Sequence, residues 1–198
     1  KVHIAHISTK GGVEILRQAK ARGLRATGET CPHYFSATDE LCQTYDTNAK
    51  MNPPLRTAKD VEAIKQGLAD GTIDAIATDH APHARDEKRV EFQSAPNGII
   101  GFETAFSLAV TNLIETGILT PEQLVERMSC RPAEILGVMG GLIAAGLPAD
   151  ITIADPKAEM VYTEENLHSK SANSPFLNKE YRGKVVCTMM DGIVRARR

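Results

Sequence analysis

The sequence of 198 residues predicts an α/β fold in which helices connect parallel strands, followed by a small β module. Short apolar runs alternate with helical patterns up to residue 80, which is the arrangement of βα units. After residue 140 the pattern changes to short β-type runs and turn signals, including Asp191-Gly192. We therefore predict two parts, which comprise residues 1–140 and residues 141–198.

The first part reads as strand, helix, strand, loop, helix and strand. Gly23 favours the end of the first helix, because glycine readily adopts the left-handed conformation that follows a helix. Asp60 supplies a negative charge to the first turn of the next helix, where the helix dipole favours it. The predicted strands are residues 2–7, 24–29 and 73–79, and the predicted helices are residues 11–22 and 58–69.

Three further helices are predicted after Gly101. Apolar residues at positions 102, 105, 106, 109 and 113 recur with helical spacing, and we assign the aromatic ones to the core. Pro121 fits the first turn of a second helix that ends near residue 128, since proline loses no hydrogen bond there. A third, short helix starts at Arg131, and the predicted strands of the β module are residues 151–154 and 184–189.

Composition excludes several classes of protein. The formal net charge is -2, and Lys and Arg are scattered, so the sequence lacks the basic surface of a nucleic-acid-binding protein. No apolar stretch approaches the roughly 20 residues that a membrane-spanning helix needs. The four cysteines form no Cys-x-x-Cys pair, which argues against a disulfide framework and against a thiolate zinc site. We expect a cytoplasmic protein.

A polar cluster follows the third predicted strand, with the sequence Thr78-Asp79-His80-Ala81-Pro82-His83. Carboxylates and imidazoles bind zinc, and barrel enzymes keep their active sites at the carboxyl ends of parallel strands. By period-two counting, His6 ends the first strand on one face with Val2 and Ile4. His3 points the other way on this count, so we predict that His6 alone faces Asp79 across a shared interior. The alternatives are a turn with solvated histidines and a His6 that only forms a hydrogen bond at its strand end.

Several motifs follow one another in a fixed order. In the first part they are the cluster at residues 78–83 and His6-Ile7-Ser8-Thr9, Glu29-Thr30-Cys31-Pro32-His33-Tyr34, Asn52-Pro53-Pro54-Leu55-Arg56 and Ala95-Pro96-Asn97-Gly98-Ile99. In the second part they are Gly146-Leu147-Pro148-Ala149-Asp150 and Asn173-Ser174-Pro175-Phe176. Together these motifs resemble the dihydroorotases of the amidohydrolase superfamily over nearly the whole chain. Spaced motifs in a fixed order are far more specific than any one of them.

The resemblance implies the C-terminal part of a TIM-type (β/α)8 metal-dependent hydrolase barrel, with residues 141–198 forming part of a small β-sandwich. The implied activity is the zinc-dependent, reversible cyclisation of N-carbamoyl-L-aspartate to L-dihydroorotate in pyrimidine (UMP) biosynthesis, with one or two zinc ions per active site. The chain starts without methionine, at what resembles the sixth barrel strand. Because the earlier metal ligands of the family have no counterpart here, we expect the chain to be inactive alone.

The resemblance also assigns roles to individual residues. His6 is implied as a zinc ligand, and Asp79 as both a zinc ligand and the catalytic base. Asn52 and His83 resemble substrate contacts, and so does the segment Pro96-Asn97-Gly98. His33 is not assigned to the metal.

Three alternatives to a catalytic dihydroorotase are considered. One is a related cyclic amidohydrolase, such as an allantoinase or a hydantoinase/dihydropyrimidinase, but Asn52 before two prolines and the motif at residues 173–176 favour dihydroorotase. Another is a non-catalytic, dihydroorotase-like partner of aspartate transcarbamoylase, and the last is a purely structural scaffold. The implied partners are a small-molecule substrate, a second copy in a homodimer, and aspartate transcarbamoylase, with neither nucleic acid nor membrane.

Overall fold

The computed structural model of the chain describes residues 1–197, which contain two three-stranded sheets. The first sheet is parallel, with the order β1 (Val2–Ile4), β2 (Ala26–Thr30) and β3 (Ala75–Ile76). The second sheet is antiparallel, with the order β4 (Ile151–Val161), β5 (Glu180–Met190) and β6 (Ile193–Arg197). The change from parallel to antiparallel strands follows the change in sequence pattern after residue 140.

Helices connect the parallel strands and continue after them. The α-helices are α1 (Lys10–Ala21), α2 (Pro32–Ser36), α3 (Ala58–Ala69), α4 (Arg85–Lys88), α5 (Ala105–Ala109), α6 (Pro121–Val125) and α7 (Arg131–Leu136). Wider π-type turns extend α5 through Val110–Ile114 and join α6 to α7 through Glu126–Cys130. Short 3₁₀ turns form at Asp39–Thr44, Thr47–Ala49 and Glu164–Asn166. In residues 1–197 none of the helices is long and apolar enough to cross a membrane.

The two long helices of the first part confirm the predictions for residues 11–22 and 58–69. The side chain of Thr9 caps α1 by accepting a hydrogen bond from the Gly12 amide at 3.0 Å. After α1 the chain turns at Gly23, which has a φ of 74°. Val13 and Leu16 on α1 are buried against the sheet, so local capping signals and apolar spacing agree on this element.

The parallel strands are shorter than predicted, because the backbone leaves the ladder early. β1 ends at Ile4 and β3 at Ile76. His6 and Asp79 then adopt left-handed conformations, with φ of 57° and 48°. Non-glycine residues rarely adopt positive φ, and period-two counting does not hold beyond such a residue. The strand predictions for residues 2–7 and 73–79 were therefore too long.

The prediction for His3 and His6 holds only in part. As predicted, His6 lines a groove with Val2 and Ile4, and it is His6 that approaches Asp79. His3 does not line this groove, but the two imidazoles are not separated by the sheet, because both contact Glu29 on β2, as described below.

Two apolar clusters make up the core. The first lies between the sheet, α1 and α3, and contains Ile7, Val13, Leu16, Ile64, Leu68 and Ile73. The second joins the two parts of the chain, since Tyr34 and Leu108 pack with Tyr162, Phe176 and Tyr181. The antiparallel sheet and the segment before β5 thus share a core with the parallel part.

The aromatic residues after Gly101 divide between core and surface. Phe106 packs against the first cluster as predicted. Phe102 does not, because its side chain is 69% exposed and stacks on the His80 ring with 4.0 Å between centroids. Helical spacing fails for Phe102 because α5 begins only at Ala105. The prediction of a core position for Phe102 was therefore wrong.

The later elements agree with the sequence in kind and differ in length. Pro121 occupies the first turn of α6, and Thr120 caps that helix at the Gln123 amide. Asp191 and Gly192 form the turn of the β5–β6 hairpin, in which Met190 pairs with Ile193. β4 and β5 have 11 residues each and extend well beyond residues 151–154 and 184–189.

Candidate active site at the strand ends

His6 and Asp79 approach each other at the carboxyl edge of the parallel sheet. His6 Nε2 lies 3.8 Å from Asp79 Oδ1, and both side chains are partly exposed. This distance is too long for a hydrogen bond. Two ligand atoms at about 2.1 Å from a tetrahedral zinc ion lie about 3.4 Å apart. The separation of His6 Nε2 and Asp79 Oδ1 is closer to this value than to the length of a hydrogen bond. The left-handed backbone of both residues makes this approach possible.

The pair by itself is only part of a ligand set. Within residues 1–197, no group of three or more His, Cys, Asp or Glu side chains could hold a metal ion. Catalytic zinc sites usually have three protein ligands and an open position for water. The chemistry of the two donors fits zinc, but their number is insufficient for a catalytic centre.

Glu29 lies behind His6 and was missed in the sequence. Its Oε1 is 3.3 Å from His6 Nδ1, and its Oε2 is 3.1 Å from His3 Nε2. His3 Nδ1 in turn lies 2.9 Å from the Thr27 hydroxyl. A continuous polar chain therefore crosses β1 and β2 towards Asp79. The sequence did contain a signal for this residue. Glu29 is a charged residue at the end of a predicted strand, two residues after Thr27 and two before Cys31.

Cys31 and His33 follow β2 and are buried. The Cys31 Sγ lies 3.4 Å from His6 Nδ1, and burial raises the pKa of the Cys31 thiol, which therefore stays protonated at neutral pH. His33 is 3% exposed, and its ring lies against Tyr34 with 4.1 Å between centroids. In the described part of the chain its Nε2 has no hydrogen-bond partner. Burial, with a smaller contribution from the charge of His6, lowers the pKa of His33 to about 3.

His83 and the segment Pro96-Asn97-Gly98 form a second group. His83 Nε2 lies 2.8 Å from the Asn97 carbonyl oxygen, which accepts a hydrogen bond from it. Gly98 has a φ of 111°, and a Cβ at this position would lie 2.5 Å from the Ala81 side chain. Only glycine fits this approach of the two segments. Sequence reasoning named these residues together, and the structure brings them into contact.

Asn173 holds this second group in place. Its amide nitrogen donates to the carbonyl oxygens of Ala81 and Gly98 at 2.9 and 3.1 Å, and its Oδ1 accepts from the His83 amide at 3.2 Å. Asn173 is 5% exposed, and its bond to the Gly98 carbonyl oxygen is buried while the other two are partly buried. The motif at residues 173–176 was visible in the sequence, but this contact was not.

Lys88 supports the same segment from the other side. Its buried ammonium group donates to the carbonyl oxygens of Thr47 and Pro96, each at 2.9 Å. Burial lowers the pKa of Lys88, and the carbonyl oxygens compensate in part for its desolvation. A buried lysine with two carbonyl partners fixes the path of the loop before Asn97.

Asn52 stands apart from both groups. Its side chain is exposed, and the Asn52–Pro53 peptide bond is cis. The Tyr34 hydroxyl donates to the Pro53 carbonyl oxygen at 2.6 Å and anchors this loop. Pro53 lines the same groove as His6. In the described residues no hydrogen bond or ion pair joins Asn52, the His6–Asp79 pair and the His83 group to one another.

Comparison with known proteins places this arrangement in a family. The model of the amidohydrolase family matches residues 2–194. The chain belongs to the amidohydrolase family. This membership agrees with the predicted superfamily and with polar residues at the carboxyl ends of parallel strands.

Two curated relatives of this chain are both named dihydroorotase. A dihydroorotase from Geotalea daltonii is 61% identical over 193 residues, which cover 98% of this chain and 45% of that protein. A dihydroorotase from Acetivibrio thermocellus is 54% identical over 196 residues, which cover 99% of this chain and 46% of that protein. The chain spans less than half the length of these relatives.

Solved structures share the fold. An L-hydantoinase (dihydropyrimidinase) from Arthrobacter aurescens has a TM-score of 0.93 and 30% identity, over 98% of this chain and 44% of that chain. A D-hydantoinase from Bacillus sp. AR9 has a TM-score of 0.92 and 26% identity, over 100% of this chain and 45% of that chain. The predicted fold class, an α/β part of a hydrolase barrel with an additional β part, is confirmed.

We predict that His33 stays neutral in the folded protein between pH 5 and 8. In the unfolded chain the imidazole takes up a proton near its ordinary pKa of 6.5, whereas in the folded chain it does so near 3. The unfolded state then holds more protons between these values, so this residue makes the fold less stable as the pH falls below 6.5. NMR of the imidazole resonances, assigned with a His33→Phe variant, measures the titration. A His33 resonance that titrates between pH 5.5 and 7.5 would contradict the prediction.

Proposed function

We propose that this chain is the C-terminal part of a dihydroorotase that interconverts N-carbamoyl-L-aspartate and L-dihydroorotate in pyrimidine biosynthesis. The observation that carries the proposal is the pairing of His6 with Asp79 in a chain 61% identical to a protein named dihydroorotase. The hydantoinases named above share the fold at 26–30% identity, so the dihydroorotases are much nearer in sequence. A hydantoinase-type reaction on another cyclic amide is the second candidate.

Zinc is the metal that we assign to His6 and Asp79, with one or two ions per site. The remaining ligands would come from the part of the full-length protein outside this chain. A bound zinc ion supplies a coordinated water with a pKa lowered to about 7, and so a nucleophile at neutral pH. In this proposal Asp79 is also the base: its carboxylate would accept a proton from the attacking water and pass it to the leaving nitrogen.

The substrate contacts in this proposal are Asn52, His83 and the segment Pro96-Asn97-Gly98. The exposed amide of Asn52 can donate and accept hydrogen bonds, which suits the adjacent N–H and C=O groups of a cyclic amide. The contact of His83 with the Asn97 carbonyl keeps the imidazole beside the loop. The absence of a side chain at Gly98 lets the loop pack against Ala81, and this fixes the path of the neighbouring Pro96 and the exposed Asn97.

Several further assignments belong to the same proposal. Residues 1–140 are the last βα units and terminal helices of the barrel, and residues 141–198 are part of the β-sandwich. Within residues 1–197 all four cysteines are free, which supports a reducing, cytoplasmic location. The partners are a second copy in a homodimer and aspartate transcarbamoylase.

Substrate assays of the full-length protein test the proposal. Purified protein with measured zinc content is given dihydroorotate, hydantoin, allantoin and dihydrouracil, each at the same concentration and pH. We expect dihydroorotate to be opened and N-carbamoyl-L-aspartate to be cyclised in the reverse assay. A zinc-loaded protein that opens hydantoin or allantoin and leaves dihydroorotate untouched would contradict the proposal.

We predict that Asp79→Asn reduces kcat by about 10²–10⁴-fold, the usual cost of losing a general base. The amide still coordinates metal weakly but accepts no proton, so part of the zinc should remain bound. The control is Asp39→Asn, which makes the same change on an exposed 3₁₀ turn and should leave kcat unchanged. An Asp79→Asn enzyme within a few fold of wild type would remove Asp79 from this role.

We also predict that residues 1–198 expressed alone bind zinc poorly and show no dihydroorotase activity. Two protein ligands hold zinc weakly, and the open edge of β1 exposes Val2 and Ile4 beside unpaired backbone groups. The polypeptide should aggregate or associate with the remainder of the protein, which size-exclusion chromatography detects. A monodisperse, active preparation with one zinc ion per chain would show that the two-ligand assignment is incomplete.

A further inference from the structure

Glu29 is a charged residue on the interior face of β2, and it contacts two imidazoles at once. Its side chain is 16% exposed, and each carboxylate oxygen faces one nitrogen. Oε1 lies 3.3 Å from His6 Nδ1, and Oε2 lies 3.1 Å from His3 Nε2. A carboxylate held on both oxygens cannot rotate without losing one of these contacts.

The position of Glu29 favours one tautomer of His6. The negative charge of the carboxylate lies 3.3 Å from Nδ1 and stabilises a proton on that nitrogen. The lone pair of Nε2 is then directed towards Asp79 Oδ1 at 3.8 Å. The Cys31 sulfur also lies 3.4 Å from Nδ1, and its thiol is both a weak donor and a weak acceptor. The full charge of Glu29 beside Nδ1 outweighs such a contact and favours the proton on that nitrogen.

His3 fixes Glu29 in the same way. When His3 Nε2 donates to Glu29, its Nδ1 is an acceptor for the Thr27 hydroxyl at 2.9 Å. In this arrangement Thr27 donates to His3, His3 donates to Glu29, and Glu29 faces an imidazole nitrogen with each of its oxygens. This order depends on the register of β1 and β2, in which His3 pairs with Thr27.

We propose that Glu29 is a positioning residue for metal binding: it holds the proton on His6 Nδ1 and directs Nε2 to the ion shared with Asp79, while His3 keeps Glu29 in place. The inference rests on the proposed function only in that the strand ends bind zinc. Partners of this kind on the second nitrogen of a histidine ligand typically contribute about 10- to 100-fold to metal affinity or activity. Glu29 touches neither the ion nor the substrate in this role.

The test uses three single variants and one double variant of the full-length protein and measures zinc affinity without substrate, by competition with a chromogenic chelator. Glu29→Gln leaves one acceptor oxygen for two N–H donors, and we expect zinc affinity to fall about 10- to 100-fold. His3→Phe keeps the charge of Glu29 but removes its second contact, so we expect a smaller loss that reports orientation rather than charge. Glu165→Gln, a change of the same type on an exposed 3₁₀ turn, should match wild type.

Three further measurements separate positioning from general destabilisation. The visible spectrum of the cobalt-substituted protein should shift in Glu29→Gln and His3→Phe but not in Glu165→Gln. The double variant should lose no more affinity than Glu29→Gln alone, because both changes act through one contact chain. Thermal unfolding of the metal-free proteins measures any loss of fold.

Wild-type zinc affinity and an unchanged cobalt spectrum in Glu29→Gln would overturn the proposal. If Glu29→Gln does not fold, the zinc affinity of His3→Phe is the deciding measurement. A zinc affinity of His3→Phe within twofold of wild type would then overturn the proposal. Zinc binding is measured without turnover, so a protein that opens hydantoin instead of dihydroorotate would contradict the proposed function and leave this result intact. Equally, a failure at Glu29 would leave the dihydroorotase proposal standing.

Discussion

The register of the parallel sheet determines which side chains can meet at its carboxyl edge. His3 pairs with Thr27 and Glu29 pairs with Ala75, so these residues lie on the same face of the sheet. The small side chain of Ala75 leaves space beside the Glu29 carboxylate. A shift of one residue would turn Glu29 towards the helices, where it would have no imidazole to contact. The polar chain and the position of His6 therefore both follow from strand pairing.

The second constraint is the backbone conformation after the strands. His6 and Asp79 both have positive φ, and each brings its side chain inward two or three residues beyond the last ladder position. Asp is several-fold enriched among non-glycine residues with positive φ, and so is His. Such conformations cost of order 1–3 kcal/mol and persist where the surrounding structure determines them. Both residues of the candidate metal pair have this left-handed backbone, which supports a functional reason for the conformation.

Local signals in the sequence predicted much of the fold. The cap at Thr9, the turn at Gly23 and the hairpin turn at Asp191 depend on neighbouring residues, and helices and hairpin formed as expected. The chemical types at the strand ends were also visible. The contacts of His3 and Glu29 could not be predicted. They depend on the register between strands and on left-handed backbone, and neither is encoded in the period of apolar residues.

Different structural features hold the two halves of the candidate site. Sheet register and strand-end backbone fix the His6–Asp79 pair, whereas Asn173 and Lys88 fix the loop with His83 and Gly98. Asn173 comes from the segment between β4 and β5, so the late part of the chain reaches back to shape the site. Loop contacts of this kind can change without disturbing the sheet. The L-hydantoinase with 30% identity shares this fold with a TM-score of 0.93, so the fold is kept although most residues differ. On the proposed function, the sheet preserves the His6–Asp79 pair, and the loops that Asn173 and Lys88 hold would contact the ring of the substrate.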